Sequence, residues 1–132
     1  MRELHMIIPE KVDEIRNLLL DAAKNRTIVP LETFHNLFGD EKDNDRYDTL
    51  EAASELLAPL EDAIYSVVLA KKSDNDCPGI GFYDVFLNKR RCEFLRITKH
   101  TSIYQLRAEP DHRKNIANLE RERVYQHAEN HY

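Results

Sequence analysis

The stretch from Ile64 to Tyr83 reads IYSVVLAKKSDNDCPGIGFY, an apolar run followed by a polar turn and a pair of glycines. The β-branched and aliphatic residues of the run predict a short strand over 66–71. The chain has only three glycines, and two of them, Gly79 and Gly81, follow the turn. This placement predicts a positive φ at one of the two, where alanine would destabilise the fold by more than ~1 kcal/mol. The stretch therefore predicts a strand, a tight turn and the start of a helix.

Apolar residues at spacings of three and four predict helices on both sides of this stretch. Proline suits the first turn of a helix, because the N–H that it lacks has no helical partner there, so Pro9 and Pro110 mark two helix starts. Acidic residues after Pro9 favour the positive end of the helix dipole. We expect helices over 9–24, 30–38, 47–64 and 111–129, a helical segment from Tyr83 to Arg90, and strands over 27–29 and 66–71.

Composition limits the class of protein. The 132 residues are 42% hydrophobic and 33% charged, so we expect one core and a single domain over 1–132. No apolar run approaches the ~18 residues of a membrane span, and the apolar part of the N-terminus is too short for a signal peptide. The two cysteines, Cys77 and Cys92, do not form a Cys-x-x-Cys pair. These features predict a cytoplasmic protein with free thiols and no membrane association.

Four segments carry a resemblance to a known group of proteins. They are Thr27-Ile28-Val29-Pro30, Ser66-Val67-Val68-Leu69-Ala70-Lys71, Pro78-Gly79-Ile80-Gly81-Phe82-Tyr83 and Glu120-Arg121-Glu122-Arg123-Val124-Tyr125. On these segments the chain resembles a group of small, mostly uncharacterised bacterial winged-helix proteins, and the order of the predicted elements agrees with that fold. The resemblance implies an α+β, mostly helical fold, with a winged-helix-like core over about 9–90 and a C-terminal helical extension over about 91–132. Because the group has no assigned activity, it implies no reaction.

The motifs that carry chemistry are incomplete in this sequence. Gly79-Ile80-Gly81 lacks the third glycine of a dinucleotide-binding loop, and residues 40–48 have the composition of a calcium loop without its glycine. His127 and His131 have the spacing of two zinc ligands on a helix, but Ala128 stands where a His-Glu-x-x-His motif has glutamate. Neither cysteine has an identifiable base beside it. We therefore expect no enzyme activity, no cofactor and no metal site.

The charge balance favours a protein partner. The formal net charge is −5, and an acidic surface accelerates docking on a basic protein. We predict a non-enzymatic binding module of the inhibitor, immunity or regulatory type, from a bacterium or phage. The acidic loop and the predicted turn are polar segments on a rigid scaffold, where binding residues are common. The predicted partner contacts are Asp40, Glu41, Asp43, Asp45, Asp48, Asp74, Asp76 and Tyr83.

The alternative is a winged-helix transcriptional regulator that binds DNA. In that case the helix predicted over 47–64 would be the recognition helix, and its first turns are acidic, which phosphates would repel. The last helix alternates acidic and basic residues, a pattern that suits either an exposed face or a homodimer contact. The sequence leaves both the DNA alternative and the homodimer open. The predicted DNA contacts are Lys89, Arg90, Arg91 and Arg96.

Overall fold

A computed structural model describes residues 7–99 and 106–132 of the chain, which are mostly helical and include a small two-stranded parallel sheet. The predicted class, α+β and mostly helical, is confirmed. Two short 3₁₀ turns flank the second strand, at Tyr65–Val68 and Lys72–Asp74. The principal elements are α1 (Pro9–Lys24), β1 (Val29–Pro30), α2 (Leu31–His35), α3 (Asp43–Leu57), β2 (Leu69–Ala70), α4 (Ile80–Lys89), α5 (Arg91–Thr98) and α6 (Pro110–His131).

The first and last helices follow the sequence pattern closely. α1 begins at Pro9 and ends at Lys24, as predicted, with an acidic residue in its first turn and a basic residue in its last. α6 begins at Pro110 and runs two residues beyond the predicted end at 129. The segment from Tyr83 to Arg90 was predicted to be helical, and α4 covers it up to Lys89. Proline punctuation and apolar periodicity therefore place α1 and α6 within two residues, while α4 begins three residues before its predicted start.

The helix predicted over 47–64 is wrong at both ends. α3 begins at Asp43, so part of the predicted acidic loop is helical, and two aspartates stand in the first turn where the helix dipole favours them. α3 ends at Leu57, because Ala58 precedes Pro59 and adopts an extended conformation with φ −164° and ψ 151°. The apolar residues that follow are buried outside any helix of the α type.

The strand predicted over 66–71 is mostly a 3₁₀ turn, and only Leu69–Ala70 is extended in a sheet. β2 pairs with β1 in parallel, with Val29 opposite Leu69 and Pro30 opposite Ala70. Parallel strands need a crossover between them, and α2 and α3 supply it. An antiparallel bridge between Lys71 and Cys77 closes the turn that follows β2.

The expected positive φ at a glycine is also wrong. All three glycines lie in the described ranges and none has a positive φ; Gly79 has φ −62°. The left-handed residues of the turn are Asn75, with φ 54°, and Asp76, with φ 61°. Asparagine and aspartate tolerate this region because their side chains can bond to the local backbone. A Cβ added to Gly79 or Gly81 would meet no atom within 4 Å.

Replacing Gly81 with alanine is therefore expected to stabilise the protein. Gly81 is helical and a Cβ there has open space, so alanine reduces only the freedom of the unfolded chain and adds about 0.4–1 kcal/mol to the free energy of unfolding. Asn75→Ala is the matched opposite, because alanine is strained at φ 54°. Urea denaturation of both variants checks the pair. A Gly81→Ala variant that loses more than ~1 kcal/mol would restore the original expectation of strain.

One cluster of buried residues joins elements from α1 to α6. Its largest side chains are aromatic and lie in α2, the first 3₁₀ turn, α4 and α5. The C-terminal helix contributes Ile116, Ala117, Val124 and Ala128 to the same cluster. The segment predicted as a helical extension over about 91–132 therefore packs into the core that the rest of the chain forms. The largest buried rings are Phe34, Tyr65, Tyr83, Phe86 and Phe94.

A buried ion pair ties α6 to the start of α5. The Arg90 guanidinium donates two hydrogen bonds to the Glu120 carboxylate, and the two side chains are 6% and 1% exposed. Glu120 also accepts a hydrogen bond of 2.8 Å from the backbone N–H of Ile64. Arg90 donates two more bonds, of 3.2 and 3.3 Å, to the carbonyl of Leu60. The pair therefore satisfies backbone groups in the segment between α3 and β2.

The neighbouring Arg121 binds backbone carbonyls on the other side of that segment. Its Nε donates to Val67 O at 2.8 Å, and its Nη2 donates to Leu69 O at 3.1 Å and to Asp76 O at 2.7 Å. Burial lowers the pKa of this guanidinium. The arginine thus holds the 3₁₀ turn, β2 and the turn after it against α6.

Candidate functional site

An acidic surface follows the loop before α3 and one side of that helix. The spacing of three, three and four residues between Asp45, Asp48, Glu51 and Glu55 puts these four on one side of the helix, away from the buried Leu50, Ala53 and Leu57. This side is about 15 Å long, because a helix rises about 1.5 Å per residue. We define the acidic surface as Asp40, Glu41, Asp43, Asp45, Asp48, Glu51 and Glu55.

Arg46 fixes the loop at the start of the acidic surface. Its guanidinium donates to Glu41 O at 3.0 Å and to Gly39 O at 2.9 Å, and its Nη1 lies 3.2 Å from Nδ1 of His35. The carboxylate of Glu41 in turn accepts a 2.6 Å hydrogen bond from the backbone N–H of Gly39. The loop is therefore held in one shape by α2 and α3, although it has no regular structure of its own.

An apolar pocket of about 380 Å³ opens beside the acidic surface. It lies between α3, α4 and the segment that leads into β2, with Leu31 at the start of α2 as a further wall. Gly79 and Gly81 line it and leave part of its wall without side chains. Apolar concave sites of this size are typical binding sites. Its other apolar lining residues include Leu50, Leu60, Ile64, Leu69, Phe82 and Val85.

The rim of the apolar pocket carries charge of both signs. Asp48 and Glu51 of α3 stand on one side, and Lys71 stands at the end of β2. Burial raises the pKa of the Glu51 carboxyl, the charges of Glu55 and Asp48 raise it further, and the charge of Lys89 opposes the shift. Within residues 7–99 and 106–132, no hydrogen bond or ion pair reaches the Glu51 carboxylate. A half-buried carboxylate without a partner is costly, and a cation would relieve it.

The predicted partner contacts divide into three groups in the structure. Those from 40 to 48 lie together on the acidic surface. Asp74 forms a 2.9 Å ion pair with Arg113 of α6, and Asp76 offers its carbonyl to α6. Tyr83 is fully buried, and its hydroxyl donates to Arg113 O at 2.9 Å. Burial raises the pKa of Tyr83, and the side chain is part of the core and does not reach a partner.

The predicted DNA contacts are also divided. Lys89, Arg91 and Arg96 are exposed on α4 and α5. Arg90 is buried in its ion pair with Glu120, so a phosphate cannot reach it. Lys89, Arg90 and Arg91 are consecutive in the sequence, but the middle residue belongs to the core, so the three do not form one exposed basic cluster. Of the two cysteines nearby in the sequence, Cys77 is buried, Cys92 is exposed, and both are free thiols.

Two residues of the pocket were missed by the sequence reasoning about contacts. Glu51 was read only as part of an acidic helix, although its spacing from Asp48 and Glu55 was visible. Gly81 was interpreted as a position where the backbone conformation requires glycine. The structure shows instead that the missing side chain leaves open space beside the helix. Both interpretations needed the position of α4 relative to α3, which no local pattern contains.

Two histidines near the end of α6 stack on each other, and one of them, His127, contacts the buried Tyr65. His127 and His131 stack with ring centroids 4.2 Å apart, and Nδ1 of His127 lies 2.8 Å from the hydroxyl of Tyr65. Over the described ranges, no group of three or more His, Cys, Asp or Glu side chains is placed to hold a metal ion. No helix in those ranges combines the length and apolar character needed to cross a membrane.

Lowering the pH from about 7.5 to about 5.5 is expected to destabilise the fold. Burial lowers the pKa of His127 and of His35, with smaller contributions from the charges of His131 and Arg46 respectively. The unfolded chain keeps a histidine pKa near ~6.5 and takes up protons first as the pH falls. The contribution of these histidines is therefore complete above about pH 6.5 and is lost as the pH falls toward their folded-state pKa values.

The variant His127→Gln tests this contribution, because glutamine keeps a hydrogen-bonding group near Tyr65 and does not titrate. We expect its urea midpoint to change less between the two pH values than that of the parent. Asn130→Gln is the control, because Asn130 is exposed near the end of the same helix and does not titrate. An equal pH dependence in His127→Gln and the parent would remove His127 from the effect.

Comparison with known proteins returned no relative. No protein-family model, no curated protein and no solved structure matches this chain. The function is therefore argued from the acidic surface and the apolar pocket.

Proposed function

We propose that the protein is a non-enzymatic binding module that docks on a basic protein partner through the acidic surface. The observation that carries the proposal is the continuity of that surface with the apolar pocket. An apolar centre beside a charged and polar rim is the usual anatomy of a protein–protein interface. Charge complementarity then steers the partner and sets its orientation. Inhibitor, immunity and regulatory proteins are the types to which this module would belong.

Two finer proposals accompany this one. The scaffold is a winged-helix variant, in which α2 and α3 form the helix–turn–helix and residues 71–79, between β2 and α4, form the wing. The order of the elements and the antiparallel bridge between Lys71 and Cys77 support it. The protein works in the cytoplasm, which the free thiols of Cys77 and Cys92 support.

DNA binding is the second candidate, favoured by the exposed cations Lys89, Arg91 and Arg96. Three phosphate contacts would give a modest affinity that falls with salt. The acidic side of α3 opposes this candidate, because it would face the phosphates if α3 entered the major groove. We therefore expect only weak binding to a generic duplex at physiological salt.

Neutralising the exposed side of α3 is expected to slow association with the partner about tenfold, because electrostatic steering is lost. The variant is Asp48→Asn, Glu51→Gln and Glu55→Gln, which spares the aspartates that stabilise the first turn of α3. The matched control is Glu10→Gln, Asp13→Asn and Glu14→Gln on α1, which changes the net charge equally. Partners are captured from the host lysate on the parent with nuclease present, and every protein that the parent keeps above the empty support is purified and tested on both triple variants.

Surface plasmon resonance with the purified partner then measures the association rate at several salt concentrations. The rate for the parent should fall as salt rises, and that for the α3 variant should be low at every salt concentration. A partner that binds both triple variants equally would remove the acidic surface from the interface. In a separate anisotropy titration without nuclease, tight binding to duplex DNA that is lost when Lys89, Arg91 and Arg96 become alanine would replace the proposal with the DNA candidate.

A further inference from the structure

We infer that the apolar pocket receives one large apolar side chain from a basic segment of the partner, while a neighbouring lysine or arginine of that segment pairs with Glu51. This inference rests on the proposed function and names the chemistry of the partner. The pocket and the acidic surface would then act together, the first by apolar contact and the second by charge.

The glycines keep the pocket open. Gly81 is in α4 with a negative φ, so the backbone does not require glycine there, and glycine weakens a helix relative to alanine. A Cβ at Gly79 or Gly81 would meet no atom within 4 Å and would project into open space. Both positions line the pocket. The absent side chains therefore leave volume that a partner side chain can fill.

The chemistry of the pocket selects an apolar occupant. Its wall is built from aliphatic and aromatic residues of α3, α4 and the segment before β2, including Leu50, Ile64 and Phe82. Removing a leucine-sized or phenylalanine-sized side chain from water into such a wall is worth about 10- to 100-fold in affinity. Polar occupants would leave their groups without partners against this wall.

The charges around the pocket select a cation next to that side chain. No hydrogen bond or ion pair reaches the Glu51 carboxylate in the described ranges, and burial raises its pKa against the opposing charge of Lys89, so a further cation favours its charged form. Asp48 and Glu55 add negative charge on the same side of α3, while Lys71 and Lys89 are the cations close to this rim. The acidic groups on this side continue for about 15 Å along α3. That length exceeds a small molecule and fits a segment with several basic residues.

A phage-displayed library of random 12-residue peptides, selected on the full chain, tests the inference. Enriched peptides should carry Phe, Leu, Ile, Met or Trp within two positions of Lys or Arg. Fluorescein-labelled copies are then measured by anisotropy on the parent, on Gly81→Leu and on Asn88→Leu. The leucine at 81 is placed to occupy part of the pocket, and the leucine at 88 adds the same bulk to α4 at a position that does not line the pocket.

We expect Gly81→Leu to weaken binding by tenfold or more and Asn88→Leu to leave it unchanged, with both variants melting like the parent or higher. Changing the apolar residue of the peptide to alanine should weaken its binding to the parent. The same change should not further weaken its binding to Gly81→Leu. Glu51→Gln should weaken binding several-fold, and only for peptides that keep the adjacent lysine or arginine, as a double-mutant cycle shows.

The outcomes separate this inference from the proposed function. The selection could instead enrich basic peptides without an apolar residue that lose binding on the α3 triple variant but keep it on Gly81→Leu. This result would overturn the pocket inference and leave the proposed function standing. Peptides that bind the α3 triple variant as tightly as the parent overturn both. A selection that enriches no peptide above the empty support also overturns the inference.

Discussion

Replacing Glu120 with alanine is expected to lower the free energy of unfolding by about 3–5 kcal/mol. The variant leaves the buried guanidinium of Arg90 with Glu93, 3.6 Å away, as its remaining carboxylate, and it leaves the N–H of Ile64 without its acceptor. Breaking a buried pair by removing one partner has an effect of this size when the remaining charge is poorly compensated in the core. The total stability of a domain is only about 5–15 kcal/mol, so the variant would lose a large share of it.

Glu122→Ala is the matched control two positions along the same helix. Glu122 pairs with Arg26 on the surface, where both side chains are about half exposed, so its loss should leave the urea midpoint close to that of the parent. Urea denaturation followed by circular dichroism measures both variants. Equal stability of Glu120→Ala and Glu122→Ala would show that the buried pair does not hold α6 in place.

The stability of the double variant Arg90→Met with Glu120→Leu provides a second test of the buried ion pair. The double variant removes both charges, so it should recover part of the loss seen in Glu120→Ala. Full recovery is not expected, because Leu60 O and Ile64 N–H lose the polar groups that they bond.

Arg121→Met is expected to lower the free energy of unfolding by about 3 kcal/mol. The guanidinium donates to three carbonyls, in the 3₁₀ turn, in β2 and at Asp76, and methionine offers no donor to any of them. Arg121→Lys should lose less but still more than half of that amount, because an ammonium cannot reach three carbonyls with the geometry of the planar guanidinium.

Two measurements check the Arg121 prediction. Urea denaturation gives the change in stability, with Arg96→Met as the control because Arg96 is exposed on α5. Hydrogen exchange gives its location, since protection should fall first over 67–77, where the three carbonyls lie. A loss of protection spread evenly over the chain would contradict a local role for Arg121.

Local signals in the sequence were sufficient for the long helices. Pro9 and Pro110 mark starts, and apolar residues at helical spacing mark the buried side, so α1 and α6 were predicted within two residues. The same signals did not predict the structure of residues 58–71. The apolar residues of this segment are buried without the regular spacing of a helix or a strand. Val67 and Val68 favour a strand by type, yet they lie in a 3₁₀ turn whose carbonyls are bonded by an arginine 54 residues away.

The candidate site was predicted only in part for the same reason. The acidic loop and α3 are contiguous in sequence, so Asp40 to Asp48 could be recognised as one surface. Burial of Tyr83 and Arg90 depends on α6, which is distant in sequence, and no neighbouring residue signals it. The apolar pocket depends on how α4 lies against α3, so the scarcity of glycine drew attention to Gly81 but could not show that it lines this pocket.

The position of Glu120 in the chain also sets the order in which the protein can be completed during synthesis. Arg90 leaves the ribosome 30 residues before the carboxylate that neutralises it. At bacterial and eukaryotic rates of elongation this is a delay of roughly 1.5–6 seconds. During this interval the segment between α3 and β2 lacks the hydrogen-bond acceptors and donors that α6 supplies. The nascent chain should therefore remain accessible to proteases and chaperones. A stop codon before Glu120 should therefore yield a product that is degraded, rather than a smaller folded protein.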